Sequence, residues 1–332
     1  MPLFVRPDVY HGPGPLTPLA VFDHWTLNVP ALLLVVLLGG AYLFGVRRVR
    51  ARGQDWPAQR VAQFLLVGLL SIVLATMSFL GAYDDTLFWV RAATIILLLM
   101  LGPYGLAMSL PVTLLEATLG EPGRARLRSV LHGRVARVVT SPPITSLLMM
   151  GTPWALYYSG YYVEVLEHPV VDQLFRLELL VTGFLYVYAR MQRDLVPRRY
   201  PPLVAYGISI AEGLVDAVLG LVLWLDSGHL VASGYYHLLA RPWGPSLRND
   251  QVIGAGVIWI GGDLAGLPFL YGVLTQMRRD DDADAAEVDA LLDAEQDERE
   301  AARLTAGPAE EVVPQRMWWE DHPDLGQRFR RG

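Results

Sequence analysis

The chain has 332 residues, of which 53% are hydrophobic and 18% are charged. A soluble domain of this length carries about a quarter charged residues, so the composition excludes an ordinary soluble protein and favours a membrane protein. The absence of cysteine excludes disulfide bonds, thiolate metal sites and thiol catalysis. The net charge of −6 comes largely from the acidic C-terminal segment, and no nucleic-acid partner is expected.

Apolar runs of about 20 residues, the length that crosses a bilayer as a helix, recur along the chain. They cover about 29–46, 61–80, 87–115, 139–158, 169–188, 203–225 and 251–276. This pattern predicts an all-α, polytopic membrane protein with a bundle of seven transmembrane helices. We expect a lead at 1–28, a membrane domain at 29–279 and an acidic cytoplasmic tail at 280–332.

The arginines predict the orientation of the bundle. The segments after spans one, three, five and seven hold five, five, four and two arginines, whereas the opposite side holds only Arg6, Arg241 and Arg248. Because positively charged residues accumulate on the cytoplasmic side, sixteen against three predicts an outer N-terminus and a cytoplasmic C-terminus.

Two segments near the C-terminus lead to further expectations. The glycines of 256–263 lie inside a span, which favours close helix packing over phosphate binding. Residues 280–304 combine good helix formers with alternating charge and predict a solvated helix. Beyond it, Trp318 and Trp319 belong either to a loosely ordered tail or to a peptide that docks on another membrane subunit.

Seven ionisable residues lie inside the predicted spans, where charge is costly and usually marks the bundle interior or a functional site. They are Arg91, Asp172, Arg176, Glu178, Glu212, Asp216 and Asp263. The predicted topology places them in one layer between the outer surface and the midplane. Three interpretations stay open: ion pairs that lock the bundle, a site for a metal or a partner's polar groups, and a path for protons or ions.

Metal ligands are scarce among the predicted spans. All seven histidines lie outside them; His168 and His237 are candidate ligands, with solvated loop histidines as the alternative. Met100 and Met108 are candidate soft ligands for copper, with core packing as the alternative. No nucleophile elbow, zinc-protease motif or Ser–His arrangement occurs, so we expect a protein that is not an enzyme.

Several motifs resemble those of a known family, the seven-helix CtaG-type assembly factors of bacterial cytochrome c oxidases. Residues 83–90 (YDDTLFWV) resemble the lead into the family's third helix, and residues 111–115 (PVTLL) resemble the end of that helix. The loop 194–199 (DLVPRR) is similar to a family loop. The family-motif positions are Pro111, Asp194, Pro197, Arg198, Trp243, Asp250, Gln251 and Trp259.

The resemblance implies an inner-membrane protein that helps cytochrome c oxidase to mature and takes part in copper delivery. It also implies intramembrane histidines. The corresponding positions here are Arg91 and Ile95 in span three, Asp172, Arg176 and Glu178 in span five, and Asp216 in span six; Asp263 matches an acidic residue of the last helix. We therefore expect a divergent member in which ion pairs replace the copper ligands, with Arg91 and Asp216 as partners of the span-five charges.

The expected function is that of a non-enzymatic membrane assembly factor for cytochrome c oxidase. Its expected partners are oxidase subunits or their assembly intermediates, together with the lipid bilayer. The alternatives are an accessory subunit of a respiratory oxidase complex and an ion or proton transporter that uses the intramembrane carboxylates. Copper is the cofactor that the resemblance implies.

Overall fold

The computed structural model of the protein describes residues 10, 12–196, 202–226, 228 and 230–305, apart from the side chains of 202–206, 276, 280, 284 and 302–305. The described residues form helices and no strand, which confirms the predicted all-α class. Seven long helical elements follow one another: α1 (Val29–Ala51), α2 (Ala58–Tyr83), α3 (Phe88–Ile96, Leu97–Leu101 and Gly102–Met108), α4 (Pro142–Tyr158), α5 (Pro169–Met191), α6 (Pro202–Leu225) and α7 (Leu247–Gly256, Val257–Gly261 and Gly262–Thr305).

Shorter helices connect these elements. They are Ala20–Asp23 before α1, three consecutive helices between α3 and α4 (Pro111–Thr118, Glu121–Leu131 and Arg134–Val139), Tyr161–Glu167 before α5 and Ser233–Leu238 before α7. α2, α3 and α7 each contain one π-helical stretch, at Gln63–Leu69, Leu97–Leu101 and Val257–Gly261. Such stretches are rare and occur frequently at functional sites.

Within the part of the chain that the structure describes, five helical segments are long and apolar enough to cross a membrane: Val29–Ala51, Ala58–Tyr83, Phe88–Thr118, Gly207–Leu225 and Leu247–Ala301. This confirms the membrane-helix character of the sequence. α4 is shorter, at 17 residues, and α5 has 23 residues but carries several charges. Both are helices where spans four and five are predicted, while the count of seven spans and the orientation stay predictions.

Two helix boundaries differ from the sequence prediction. The sequence predicts span three at 87–115 with breaks at Gly102–Pro103 and at Pro111. α3 instead continues through Gly102 and Pro103, but it does end at Met108, because Leu110 adopts the left-handed conformation (φ 56°) just before Pro111 begins a new helix. Span four begins only at Pro142. Val139, where that span was predicted to begin, ends the separate helix Arg134–Val139.

α3 is the central helix of the bundle. α2, α5 and α7 all pack against it. Its side chains at Ile95 and Leu98 are buried, and so are Phe175 and Leu179 on the facing surface of α5. Arg91 of α3 and Asp172, Arg176 and Arg190 of α5 are likewise buried within the bundle, whereas Glu178 of α5 is exposed.

Only part of the glycine-rich stretch 256–263 allows close helix approach: a Cβ on Gly261 would lie 3.3 Å from Cδ1 of Ile96. Gly256 and Gly262 of the glycine-rich stretch have open space where a Cβ would lie. The nearby Gly254 is the close contact instead, because a Cβ there would lie 2.3 Å from Cδ1 of Phe88. Between α5 and α3, a Cβ on Gly183 would lie 1.9 Å from the carbonyl oxygen of Leu99.

Replacement of Gly183 by alanine should therefore push α5 away from α3. We expect a destabilisation of roughly 1–3 kcal/mol, the usual cost of overpacking a core, seen as a lower midpoint of thermal unfolding in detergent. Gly151→Ala in α4 is the matched control, since that position has open space for a methyl group and alanine favours helix by about 1 kcal/mol. Equal destabilisation of both variants would contradict this account of the contact.

The chain divides into two compact units, Met1–Met277 and Arg278–Gly332. The first contains the helical bundle described above. The second is described from 278 to 305 and is helical, with exposed side chains at 281–283 and 285–301 and an ion pair between Arg299 and Glu295. The three-part division 1–28, 29–279 and 280–332 stays a prediction, and Trp318 and Trp319 lie outside the described residues.

Candidate functional site

Two arginines and two aspartates form a closed ring at one end of α3 and α5. Arg91 donates from Nη1 to Oδ2 of Asp84 at 3.1 Å and from Nη2 to Oδ1 of Asp172 at 2.5 Å. Arg176 donates from Nη2 to the same oxygen of Asp84 at 2.5 Å and from Nε to Oδ2 of Asp172 at 2.7 Å. Each carboxylate therefore binds both guanidinium groups. We call these four residues the charge ring.

Local structure explains how the ring is assembled. Asp172 and Arg176 are one helical turn apart on α5, so both side chains lie on the same face. Asp84 directly follows the end of α2 at Tyr83, and Arg91 lies in the first turns of α3. The short connection from α2 to α3 thus places Asp84 within hydrogen-bond distance of Arg91 on the next helix.

The charge ring is buried and electrically balanced. Asp84 is 1% exposed, Arg91 2%, Arg176 8% and Asp172 9%. Because charges removed from water are costly unless paired, two cations alternating with two anions is the arrangement that a buried site tolerates best. One donor is left over: Nη1 of Arg176 is buried and has no hydrogen-bond partner among the described residues.

Asp85 lies at the edge of the ring and contacts Nη1 of Arg91 at 3.2 Å. Desolvation, followed by repulsion from Asp84, raises the pKa of Asp85 to about 6. The Asp85 side chain is nevertheless 61% exposed, so solvent screens part of that repulsion. Below that pH Asp85 is protonated and adds no negative charge next to the four-residue ring, which is itself neutral.

Glu178 belongs to a different surface of α5 and does not join the ring. It accepts hydrogen bonds from Oγ1 of Thr152 at 3.3 Å and from the hydroxyl of Tyr161 at 2.9 Å. The expected single layer of intramembrane charges is therefore divided. Asp84, which the sequence singles out only as part of the motif 83–90, takes the place in the ring that was expected for Asp216.

A second buried ion pair joins α5 to α6. Arg190 donates from Nη2 to Oε1 of Glu212 at 2.7 Å, and Oε2 of Glu212 accepts from the hydroxyl of Tyr186 at 2.5 Å. The guanidinium also lies 5.2 Å from the centre of the Tyr186 ring. Arg190 was predicted to be one of the four arginines that follow span five, which is wrong: it lies inside α5 and is 4% exposed.

A cavity of about 140 Å³ lies among α3, α4, α5, α6 and α7. Glu212, Asp216 and Asp263 line it, and neither aspartate has a hydrogen bond or ion pair within the described part of the chain. The π-helical stretches of α3 and α7 both contribute lining residues, among them Met100 and Trp259. The structure thus brings Asp216 and Asp263 together here, apart from Arg91.

The candidate metal ligands do not form a site. Among the described residues, no group of three or more histidine, aspartate or glutamate side chains has the geometry to hold a metal ion. His168 contacts Glu164 at 3.3 Å on the surface, and His237 ends a short helix. Met108 is buried in the hydrophobic core, and Met100 packs at its edge and lines the cavity.

Comparison with known proteins connects this architecture to a function. Residues 40–280 match the family model described as cytochrome c oxidase caa3 assembly factor. The chain belongs to this family of caa3-type oxidase assembly factors. The family that the sequence motifs indicate is thereby confirmed.

Curated relatives come from mycobacteria, and no solved structure matches the chain. The chain is 26% identical over 301 residues to the uncharacterized protein ML1998 of Mycobacterium leprae, covering 88% of this chain and 45% of that protein. It is 28% identical over 310 residues to the uncharacterized proteins Mb0105 of Mycobacterium bovis and MT0111 of Mycobacterium tuberculosis, covering 90% of this chain and 47% of each. The chain therefore spans less than half the length of these relatives.

Two aspartates at motif positions of this assembly-factor family cap helices that are distant in sequence. Asp194 accepts from the backbone N–H groups of Val112 and Thr113 at 2.8 and 2.7 Å, at the start of the helix that Pro111 begins. It also accepts from the Thr113 hydroxyl at 2.6 Å and from the N–H of Leu195 at 2.8 Å. A carboxylate at a helix N-terminus satisfies otherwise unpaired donors and opposes the helix dipole.

Asp250 plays the same part at the start of α3. Its two carboxylate oxygens accept from the N–H groups of Phe88 and Trp89, both at 3.1 Å, and Arg241 contacts it at 3.3 Å. The neighbouring Gln251 binds the backbone of Val231 and Leu223. Asp250 therefore fixes the start of α3, which carries Arg91, while Gln251 joins α7 to the end of α6 and to the loop that follows it.

The remaining motif residues of the family divide into packing residues and residues that the structure does not describe. Trp243 packs edge-on against Tyr83 and lies under the guanidinium of Arg241, 5.0 Å from the ring centre. Trp259 lines the cavity and packs edge-on against Trp224. Pro197 and Arg198 lie outside the described residues.

Proposed function

We propose that this protein is a non-enzymatic membrane assembly factor for cytochrome c oxidase that holds no copper at the charge ring. Family membership supports the oxidase-linked role. The observation that carries the second part is the ring itself. Three of its residues, Arg91, Asp172 and Arg176, stand where the family resemblance implies histidines, and they bind one another.

Ligand chemistry supports this separation from copper. Copper favours imidazole and sulfur ligands, while a guanidinium has no lone pair to offer. Both carboxylates of the ring already accept hydrogen bonds from two arginines. A metal cation entering there would meet two fixed positive charges, so the ring serves as a structural joint between α3, α5 and the α2–α3 loop.

The proposed setting is the bacterial plasma membrane, with seven spans, an outer N-terminus and a cytoplasmic C-terminus. Moving Arg190 from the loops into the bundle leaves fifteen arginines against three in the comparison of the two sides, so the charge asymmetry persists. In this orientation the charge ring lies near the outer surface. The proposed partners are oxidase subunits or their assembly intermediates.

Metal analysis of the purified full chain tests the copper part of the proposal. After exposure to cuprous and cupric ions and removal of excess metal, we expect no stoichiometric, tightly held copper. One copper per chain that is lost in Asp172→Asn would overturn it. Met100→Leu is the comparison variant, because loss of copper only there would locate the metal in the cavity instead of the ring.

Deletion of the protein tests the assembly role separately. An assembly factor should be absent from the mature oxidase but necessary for its yield, whereas an accessory subunit co-purifies with it. We expect less assembled oxidase in membranes of the deletion strain, with activity restored by the wild-type chain. Unchanged oxidase yield and activity would contradict the assembly role whatever the metal content.

A further inference from the structure

The connection between α3 and α4 is a basic segment with exposed apolar side chains. It consists of the helices Glu121–Leu131 and Arg134–Val139, which we call the arginine segment. After Glu121 the segment contains no acidic residue. Its five arginines are Arg124, Arg126, Arg128, Arg134 and Arg137.

Two of these arginines hold the segment to the preceding helix. Arg128 donates from Nε to the carboxylate of Glu116 at 2.6 Å, and Arg124 donates to the backbone carbonyl of the same residue at 3.2 Å. Arg124 also contacts Glu121 at 3.2 Å. The first helix of the segment is thus fixed beside the end of Pro111–Thr118.

The other three arginines are exposed and have no ion pair or hydrogen bond within the described residues: Arg126, Arg134 and Arg137. Exposed valines lie between them, with Val130 64% exposed, Val135 77% and Val138 57%. The bundle therefore leaves both the positive charge and the apolar surface of this segment uncovered.

Helical spacing separates the two kinds of side chain. At 100° per residue, Leu127, Val130 and Leu131 fall within an arc of about 100°, and Arg124 and Arg126 lie on its two flanks. In the second helix, Val135 and Val138 share one face. Long arginine side chains beside an apolar stripe can extend toward phosphate groups while the stripe stays in an apolar medium.

The position of the segment in the chain places it at the membrane boundary. The apolar segment Phe88–Thr118, which comprises α3 and the helix Pro111–Thr118 and is long enough to cross a bilayer, ends only three residues before Glu121. Three residues span at most about 11 Å of extended chain. The segment returns to α4 immediately after Val139, so it cannot move far from the bilayer surface at either end.

We propose that the arginine segment lies in the membrane interface and binds the headgroups of anionic phospholipids. Arg126, Arg134 and Arg137 contact lipid phosphates, while Val130, Val135 and Val138 enter the boundary between headgroups and acyl chains. Apolar contact alone would suit any bilayer, whereas three free arginines select anionic lipids. This inference concerns the bilayer surface and does not depend on the proposed assembly role.

The test uses the full chain, whose lack of cysteine permits a single polarity-sensitive fluorophore at Val130→Cys. The labelled protein in mild detergent is titrated with mixed micelles of phosphatidylglycerol or of zwitterionic phosphatidylcholine. We expect a blue shift at lower lipid concentration with phosphatidylglycerol. Replacing Arg126, Arg134 and Arg137 by glutamine should raise the phosphatidylglycerol midpoint by at least tenfold, since each surface arginine contributes roughly fivefold to anionic-lipid binding.

Two control variants make the result specific. Lysine at the same three positions keeps the charge and should keep most of the preference for phosphatidylglycerol. Glutamine at Arg47 and Arg48, which are exposed at the end of α1, should leave the midpoint nearly unchanged. Equal midpoints for the two lipids, or a phosphatidylglycerol midpoint that the triple glutamine variant does not alter, would overturn the proposal.

Discussion

Asp84→Asn should be among the most destabilising single substitutions in the chain. It removes the carboxylate that accepts from both Arg91 and Arg176, leaving two buried guanidinium groups to share Asp172. Breaking a buried ion pair by removing one partner costs about 3–5 kcal/mol, because the remaining charge stays desolvated. We expect a much lower unfolding midpoint in detergent and a lower yield of folded protein from membranes.

Asp85→Asn is the matched control for this prediction. The same change of side chain occurs one residue away, but the Asp85 side chain is 61% exposed and, among the described residues, forms an ion pair with Arg91 alone. Exposed ion pairs contribute about 1 kcal/mol or less, so this variant should unfold close to the wild type. Equal losses in the two variants would show that Asp84 has no special place in the ring.

A double variant distinguishes lost charge balance from general damage to the loop. Asp84→Asn combined with Arg176→Gln leaves the neutral pair Arg91–Asp172. Since the residues interact directly, their effects should not add. The double variant should therefore be less destabilised than the sum of the two single variants. Strict additivity would contradict the ring as an energetic unit.

The helical pattern and the membrane-helix character follow from the sequence because apolar runs of span length depend on local composition. The pairing of the buried charges does not follow from the sequence, because it depends on contacts between distant parts of the chain. Asp84 lies outside the predicted spans, and only the fold brings it beneath Arg91 on the next helix. One sequence feature could have indicated this pairing. Two acidic residues, Asp84 and Asp85, come shortly before a predicted span that carries an arginine, Arg91, seven residues after Asp84.

Arg190 shows a different limit of sequence reasoning. Its position near the end of an apolar run, among other arginines, favours a loop residue at the membrane surface. Its true environment depends on α5 extending to Met191 and on α6 presenting Glu212 opposite it. A carboxylate on another helix, 22 residues further along the chain, cannot be assigned from spacing alone.

The family motifs identified Asp194 and Asp250 as notable positions, but the sequence did not indicate what these two residues do. Asp194 is a single residue in a loop and Asp250 lies in the first turn of α7, and nothing in their neighbourhoods indicates that they cap other helices. Their hydrogen bonds reach helices 81 and 162 residues away in the chain. Family resemblance located the residues, while their role as caps required three-dimensional contacts.

Asp194→Ala should produce the second large effect. The substitution removes four hydrogen bonds to a 6%-exposed carboxylate, including both backbone caps of the helix Pro111–Thr118. Hydrogen bonds to charged groups contribute about 1.5–3 kcal/mol each, and loss of a cap alone costs about 1 kcal/mol. We expect roughly 3 kcal/mol of destabilisation, with faster hydrogen exchange at the amides of Val112 and Thr113.

Asp194→Asn separates the charge of this cap from its shape. The amide keeps one acceptor oxygen, so it should retain part of the capping and lose less stability than alanine. Asp55→Ala, at an exposed position between α1 and α2, controls for removal of an acidic side chain and should leave exchange at both amides unchanged. If Asp194→Ala lowered global stability without accelerating those two amides, the carboxylate would act through the loop that carries it. Local acceleration in the order alanine, asparagine, wild type instead places its effect at the start of the helix, where the left-handed Leu110 leaves the backbone donors in need of a partner from another segment.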